Sequence, residues 1–391
     1  MTDMKEMMTA KERWLAAMTM RPVDRIPVWA KLGSSYPKYQ PEPFNNMSIL
    51  KLQQYVGSDR HEWILPSGRI EFKNGAGMEK SNENGDITIK YITKYGTCVN
   101  RRKIDPETES MHPTDMCIKT LEDIRIMTEW YNSSEFVFDK DACDIAKARY
   151  AECGQDAVVS EVVVETPFMY YLEYLAGIAE GHILLADYED EIEALFEAED
   201  RWCQKRVQNE VEHSPADILY IEENTSTTTL SPTQFRKYCV PYLEKYTKMM
   251  QDADKLVAYH MCGHLKLLLS DLNQLPNQAQ EAFTPPPFGA ATLIEGRAAV
   301  SYTHLMDIEC GDDCLHSVYM VARHRRTGNF YAEYAAESDQ DRTDIYQKTD
   351  GPESGRCNAA CTSRIQSENR IIRIPAGRRD RSSAWNCDGM V

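Results

Sequence analysis

The sequence predicts an α/β fold built on parallel strands, and three observations carry that expectation. From about residue 119 helical and strand-like segments alternate, which implies parallel strands joined by right-handed crossovers. Two of the strands, over 157–164 and 218–221, are apolar at most positions, as where both faces of a sheet are covered. Residues able to do chemistry follow the strands rather than the helices, and in such folds the carboxyl ends of the strands form the binding mouth.

The elements are expected in this order. Met8, Trp14, Leu15 and Met18 recur at helical spacing over 4–19, and Pro22 stops that helix. Arg25 to Ala30, RIPVWA, reads as a short buried strand. Over 66–104 the runs Arg69–Phe72, Ile87–Tyr91 and Thr97–Val99 alternate between turn signals at Asn84-Gly85-Asp86 and Tyr95-Gly96, which predicts an inserted antiparallel meander. Then follow helices 120–131 and 139–152, strand 156–164, helices 167–176 and 188–212, strand 217–222, helix 232–252, strand 255–261, helix 264–273, strand 278–283 and the start of a helix near 291. A barrel and a doubly wound sheet both satisfy this order. No G-x-G-x-x-G follows any strand and no Walker A sequence is present, so the usual reason to prefer a dinucleotide fold is missing.

Composition narrows the function. The 391 residues are 42% hydrophobic and 27% charged, with mean hydropathy −0.53, which fits a soluble chain with a sizeable core. A formal charge of −17 and no basic patch argue against nucleic acid or a membrane surface as partner. No apolar run long enough to span a bilayer occurs, and the first residues lack a signal-peptide pattern, so a cytoplasmic location is expected. The 12 cysteines are far apart, which suits reduced thiols and a metal site better than a disulfide framework.

The chain changes character near residue 300. Residues 1–300 hold 19 Lys and 13 Arg, whereas 301–391 hold 1 Lys and 11 Arg together with five of the cysteines. Sustained periodicity is lost after about Met320. Val300-Ser301-Tyr302-Thr303-His304-Leu305 resembles a translated joining scar, so 1–300 is expected to be one barrel domain and 301–391 an atypical tail, read out of frame or foreign. The C-x3-C pairs Cys310/Cys314 and Cys357/Cys361 lack the surrounding pattern of a zinc knuckle.

The candidate site follows the strands. His260 and Cys262 are two apart at a strand end, so their side chains share a side, and imidazole with thiolate suits Zn²⁺. Gly263 permits a sharp turn, and His264 caps the next helix or approaches the metal. Glu281, one strand later, is the candidate third ligand and a catalytic carboxylate; an ion pair lining the mouth is the other reading. Of Glu222 and Glu223, alternation puts only one in the mouth, and Glu222 is the second catalytic candidate. Zinc with an open position could hold an incoming thiol as a thiolate or activate water. Glu165 also follows a strand, while Tyr170 and Tyr171 read as core.

Residues 11–29 (KERWLAAMTMRPVDRIPVW), 217–245 (DILYIEENTSTTTLSPTQFRKYCVPYLEK), 256–270 (LVAYHMCGHLKLLLS) and 281–297 (EAFTPPPFGAATLIEGR) resemble the uroporphyrinogen decarboxylase superfamily. H-x-C-G at 260–263 is similar to its zinc-containing branch, the cobamide-dependent methyltransferases. The resemblance implies a TIM (β/α)8-type barrel with an N-terminal helix and the inserted meander, incomplete after residue 300. It implies zinc on His260 and Cys262, and transfer of a methyl group between a corrinoid-binding partner protein, which carries the methylcorrinoid, and a small thiol or pterin. Members of that branch add a cysteine from near the last strands; nothing after 300 matches that region, which puts the activity of the chain as written in doubt. The decarboxylases carry an Arg-rich segment after the first strand, where this chain reads Ala30-Lys31-Leu32-Gly33-Ser34-Ser35, so decarboxylation of a porphyrinogen is disfavoured. Two other functions remain open: a metal-free decarboxylase of a small carboxylated substrate, and a non-catalytic docking module for a corrinoid protein.

Overall fold

The computed structural model describes residues 7–33, 35–107 and 109–299, and the backbone of residues 321–322. The strands are β1 (Arg60–Trp63), β2 (Gly68–Phe72), β3 (Gly77–Glu83), β4 (Asp86–Thr93), β5 (Gly96–Ile104), β6 (Met111–Asp115), β7 (Ser134–Phe138), β8 (Ala157–Val164), β9 (Ile218–Glu222), β10 (Leu256–His260), β11 (Ala279–Glu281) and β12 (Val321–Ala322). The main sheet runs β1-β8-β9-β10-β11-β12, and its first five strands are parallel. This is the α/β barrel architecture left incomplete. At the β11 edge, β12 pairs antiparallel, whereas a barrel would continue with a parallel strand.

Side-chain alternation explains why both sheet faces are covered. Val159, Leu219, Ile221, Val257 and Tyr259 pack outward against helices such as Glu189–His213 and Val240–Asp252. Val158, Ile218, Tyr220, Ala258 and Ala279 point to the other face and form a second apolar cluster with Trp14, Met18 and Trp29. Full burial of each larger apolar side chain contributes roughly 1.5–3 kcal/mol. Neither face is left for solvent.

The helix Ala10–Met18 closes the end of the sheet opposite the mouth. Thr9 and Glu12 form a capping box at its start. Lys11 pairs with Asp217 just before β9 at 3.0 Å, and the Lys11 N–H donates to Gln155 O just before β8. Arg13 is buried between Asp24, 2.7 Å away, and Asp59, which directly precedes β1; Arg25 also binds Asp59. The arginines of the opening motif are thus structural clasps.

Several expectations need correction. Segment 25–30 is extended but joins no sheet: the Val28 and Ala30 N–H groups donate to the Asp59 carboxylate and the Ser58 hydroxyl. The first sheet strand is instead β1, whose letters RHEW look polar. Arg69–Phe72 leaves the meander and, as β2, pairs antiparallel with β7, a strand not expected between two helices. The meander itself is β3 to β6. Helix 232–252 is two helices, Pro232–Tyr238 and Val240–Asp252, because Pro241 lacks an N–H and its ring clashes with the preceding turn. Helix 167–176 becomes Pro167–Tyr170 followed by a π turn over Tyr171–Leu175, and a further helix, Ile178–Asp187, precedes the long one. In place of helix 264–273 stand a 3-10 turn, Lys266–Leu268, and a single helical turn, Leu269–Leu272. The reading of 301–391 as a foreign tail, with its four C-x3-C cysteines, lies outside the described residues apart from the β12 backbone. No helix among the described residues is long and apolar enough to cross a membrane.

Candidate functional site

Three adjacent parallel strands end on Glu222, His260 and Glu281. In the register His260 stands opposite Glu222 on one side and Glu281 on the other. Register partners on parallel strands point the same way, and neighbouring strands are ~4.8 Å apart, so the three side chains form one row. Two residues earlier on each strand, Tyr220, Ala258 and Ala279 belong to the inner cluster, which puts the row on the inner face at the carboxyl ends.

Hydrogen bonds tie this row together. His260 Nδ1 donates to Glu281 Oε2, and Lys31 Nζ donates to Glu281 Oε1 at 3.2 Å. Glu281 is 1% exposed. Burial opposes its charge, but the Lys31 ammonium and His260 outweigh burial and hold the carboxyl below the usual carboxylate range. The site therefore keeps a buried anion.

Beyond the strand end, Met261 is buried and Cys262 half-buried. The Cys262 Sγ–H donates to Asn224 Oδ1 at 3.6 Å, and Asn224 Nδ2 donates to Glu173 Oε2 at 3.1 Å. Gly263 lets the two loops touch, since a Cβ there would lie 2.3 Å from Ser226 Cβ and 2.6 Å from Thr225 O. His264 turns to the loops: its N–H donates to Ser226 Oγ at 3.0 Å, and its Nε2 meets Phe288 O at 3.1 Å.

The remaining carboxylates divide by environment. Glu223 is fully buried and accepts the Thr166 N–H at 3.1 Å and hydroxyl at 2.8 Å; burial pushes its carboxyl up to about 7 despite these bonds. Glu165 is pushed upward by burial and by the charges of Glu173, Glu223 and Glu222. Tyr171 is buried, with its hydroxyl donating to Gly181 O at 3.0 Å, and Tyr170 packs partly buried against the core.

Residues 119–281, which run from the start of helix Leu121–Asn132 to the end of β11 and contain this whole row, match the family model described as uroporphyrinogen decarboxylase (URO-D). Over these residues the chain is similar to the uroporphyrinogen decarboxylase family. A solved structure similar to it, a methyltransferase from Methanosarcina mazei, is 16% identical, covers 68% of this chain and 74% of its own, and has a TM-score of 0.42. No curated protein matches the chain.

At the mouth of this incomplete barrel, His260 and Cys262 are donor types that suit zinc. Glu281, expected as the third donor, is engaged with His260 and Lys31. Among the described residues no group of three or more His, Cys, Asp or Glu side chains is gathered to hold a metal ion. The described part of the chain offers a partial donor set.

Sequence reasoning did not single out Lys31, Glu173 or Asn224. Lys31 occupies the segment where an arginine was missed, and nothing local reveals a contact 250 residues away. Asn224 carried a weak signal: it follows a strand, and asparagine tolerates the positive φ of 44° found there.

Proposed function

We propose that this chain is a methyltransferase that moves a methyl group between a corrinoid carried by a partner protein and a small thiol or pterin acceptor. One observation supports the reading above the others: a buried carboxylate, Glu281, holds Nδ1 of the histidine in the H-x-C sequence at the mouth. A carboxylate on one ring nitrogen is the usual way to fix the tautomer and aim of a metal-binding histidine, and it raises the basicity of the other nitrogen. In this reading His260 and Cys262 would hold zinc, which supplies a positive centre that lowers the pKa of an acceptor thiol at neutral pH.

The chain's own residues do the rest. Glu281 keeps His260 oriented, and Lys31 keeps Glu281 ionised in a buried position. Transfer to a thiol would form a carbon–sulfur bond as the bond between the methyl group and the partner's corrinoid breaks, leaving that bond's electron pair on the corrinoid, and would release the thiol proton; Glu222, beside His260, is the carboxylate that would take it. The inner aromatic residues Trp63 and Tyr220, with ring centroids 4.8 Å apart, wall the mouth from below and limit water.

The test uses the full chain with two readouts. Zinc is measured after purification without chelator, and methylation of a small thiol is followed with free methylcobalamin as donor. Bound zinc that Cys262→Ala abolishes is expected, with thiol methylation where the chain retains activity. A chain that takes up no zinc, and releases carbon dioxide from a small carboxylated substrate, would overturn the proposal in favour of decarboxylation.

A further inference from the structure

The loop after β9 is stitched to the loop after β10 by a set of contacts that converge on Cys262. The N–H groups of Glu223 and Asn224 both donate to the single carbonyl of His260, at 3.0 and 3.1 Å. This convergence requires the chain to turn sharply at Asn224, which has a φ of +44°. Farther along, Thr227 donates through both its N–H and its hydroxyl to His264 O, at 3.1 and 2.8 Å. From the β11 side, the Thr284 hydroxyl donates to Cys262 O at 3.1 Å. The backbone on both sides of Cys262 is therefore fixed, and its side chain meets the neighbouring loop at Asn224 Oδ1.

The polarity of that amide follows from its other end. A carboxylate oxygen accepts, so Glu173 takes the Nδ2 donor of Asn224, and the Oδ1 acceptor is turned toward the thiol. We propose that Asn224 is a positioning residue for Cys262: its amide, oriented by Glu173 and carried on a left-handed turn, sets where the thiol points in the mouth. The inference rests on the reading of Cys262 as a metal ligand, because only then does the aim of this sulfur matter. It assigns to Asn224 a role acting through the cysteine.

Two substitutions separate the side chain from the turn. Asn224→Gly keeps the positive φ without strain and removes the amide; Asn224→Asp keeps an acceptor for the thiol while losing the donor to Glu173. Each variant and the parent are stripped with chelator, treated with iodoacetamide at one fixed pH, and the rate at Cys262 is read by mass spectrometry. The other described cysteines are buried and serve as internal controls for general loosening. Asn224→Gly is expected to react about fivefold faster at Cys262 alone, the factor that one ordinary hydrogen bond is worth. Asn224→Asp is expected to react no faster than the parent. Equal rates in Asn224→Gly and the parent would overturn the proposal, as would equal acceleration in both variants, which would make position 224 a matter of loop integrity. Because the assay runs without metal, failure of the zinc reading would leave its result intact and would be seen separately, as a parent chain that binds no zinc.

Discussion

Glu281 faces His260 across the parallel register of β10 and β11, and the two side chains are hydrogen-bonded while the same carboxylate accepts from Lys31. The arrangement makes Glu281 a shared partner of one ring and one ammonium. Glu281→Gln keeps an acceptor for His260 but removes the charge that both partners face. If the chain is the proposed methyltransferase, then in a full-length repaired protein zinc is expected to be largely retained, and thiol methylation to fall by about 10- to 100-fold, the usual effect of losing a carboxylate behind a metal-binding histidine. Turnover equal to the parent's would reduce Glu281 to a structural role.

Gly263 sits where the two loops are closest, with Ser226 and Thr225 too near for any side chain. Gly263→Ala must push backbone apart, because the atoms it meets belong to the opposite loop and not to a flexible tip. A loss of about 1–3 kcal/mol in urea unfolding is expected, together with faster alkylation of Cys262. A variant as stable as the parent would show that the loops can separate without cost.

Asp59 neutralises Arg13 and Arg25 and also accepts the Val28 N–H at 2.7 Å. Asp59→Asn leaves Arg13, 2% exposed, with a single carboxylate in Asp24. Breaking a buried pair from one side costs about 3–5 kcal/mol, and the loss should appear as a lower urea midpoint with unchanged slope. A midpoint shift of less than about 1 kcal/mol in energy would mean that water reaches the guanidinium.

His61 predicts a pH dependence. It is buried between Trp29 and Trp63, with ring centroids at 4.2 and 4.9 Å, and its Nε2 meets Ser160 Oγ at 2.6 Å. Burial lowers its pKa from 6.5 to about 3, so below pH 6.5 the unfolded chain binds a proton that the folded chain refuses. The folded state is thus favoured above 6.5 and loses that advantage as the pH falls toward 3, at roughly 1.4 kcal/mol per unit. His61→Gln should flatten the fall in unfolding free energy between pH 6 and pH 4. Parallel pH profiles for the two proteins would contradict this.

How far the sequence could be read depends on how local each cause is. Strands β8 to β10 and the long helix Glu189–His213 were legible because near-continuous apolar runs and 3.6-residue spacing reflect burial within one segment. β1 was not legible. Its RHEW sequence is a strand because His61 and Trp63 pack against Trp29 and Tyr220, residues far along the chain. β7 was missed for a similar reason, since SEFVF is held by pairing with β2 and lies between two helices with stronger signals. At the site, residue type and position after a strand were enough to single out Glu222, His260, Cys262 and Glu281.

The sequence by itself determined that the sheet is parallel and which residues stand at the carboxyl ends of its strands, because those properties follow from hydrophobic period and from residues adjacent in the chain. Only the tertiary structure decided that Glu281 serves His260 and Lys31, that Glu223 is buried while Glu222 lines the row, and that Asn224 faces Cys262. Those pairings join segments that no local pattern relates. A hydrogen bond acts within about 3 Å, and bringing Lys31 to Glu281 across 250 residues is the work of the sheet as a whole.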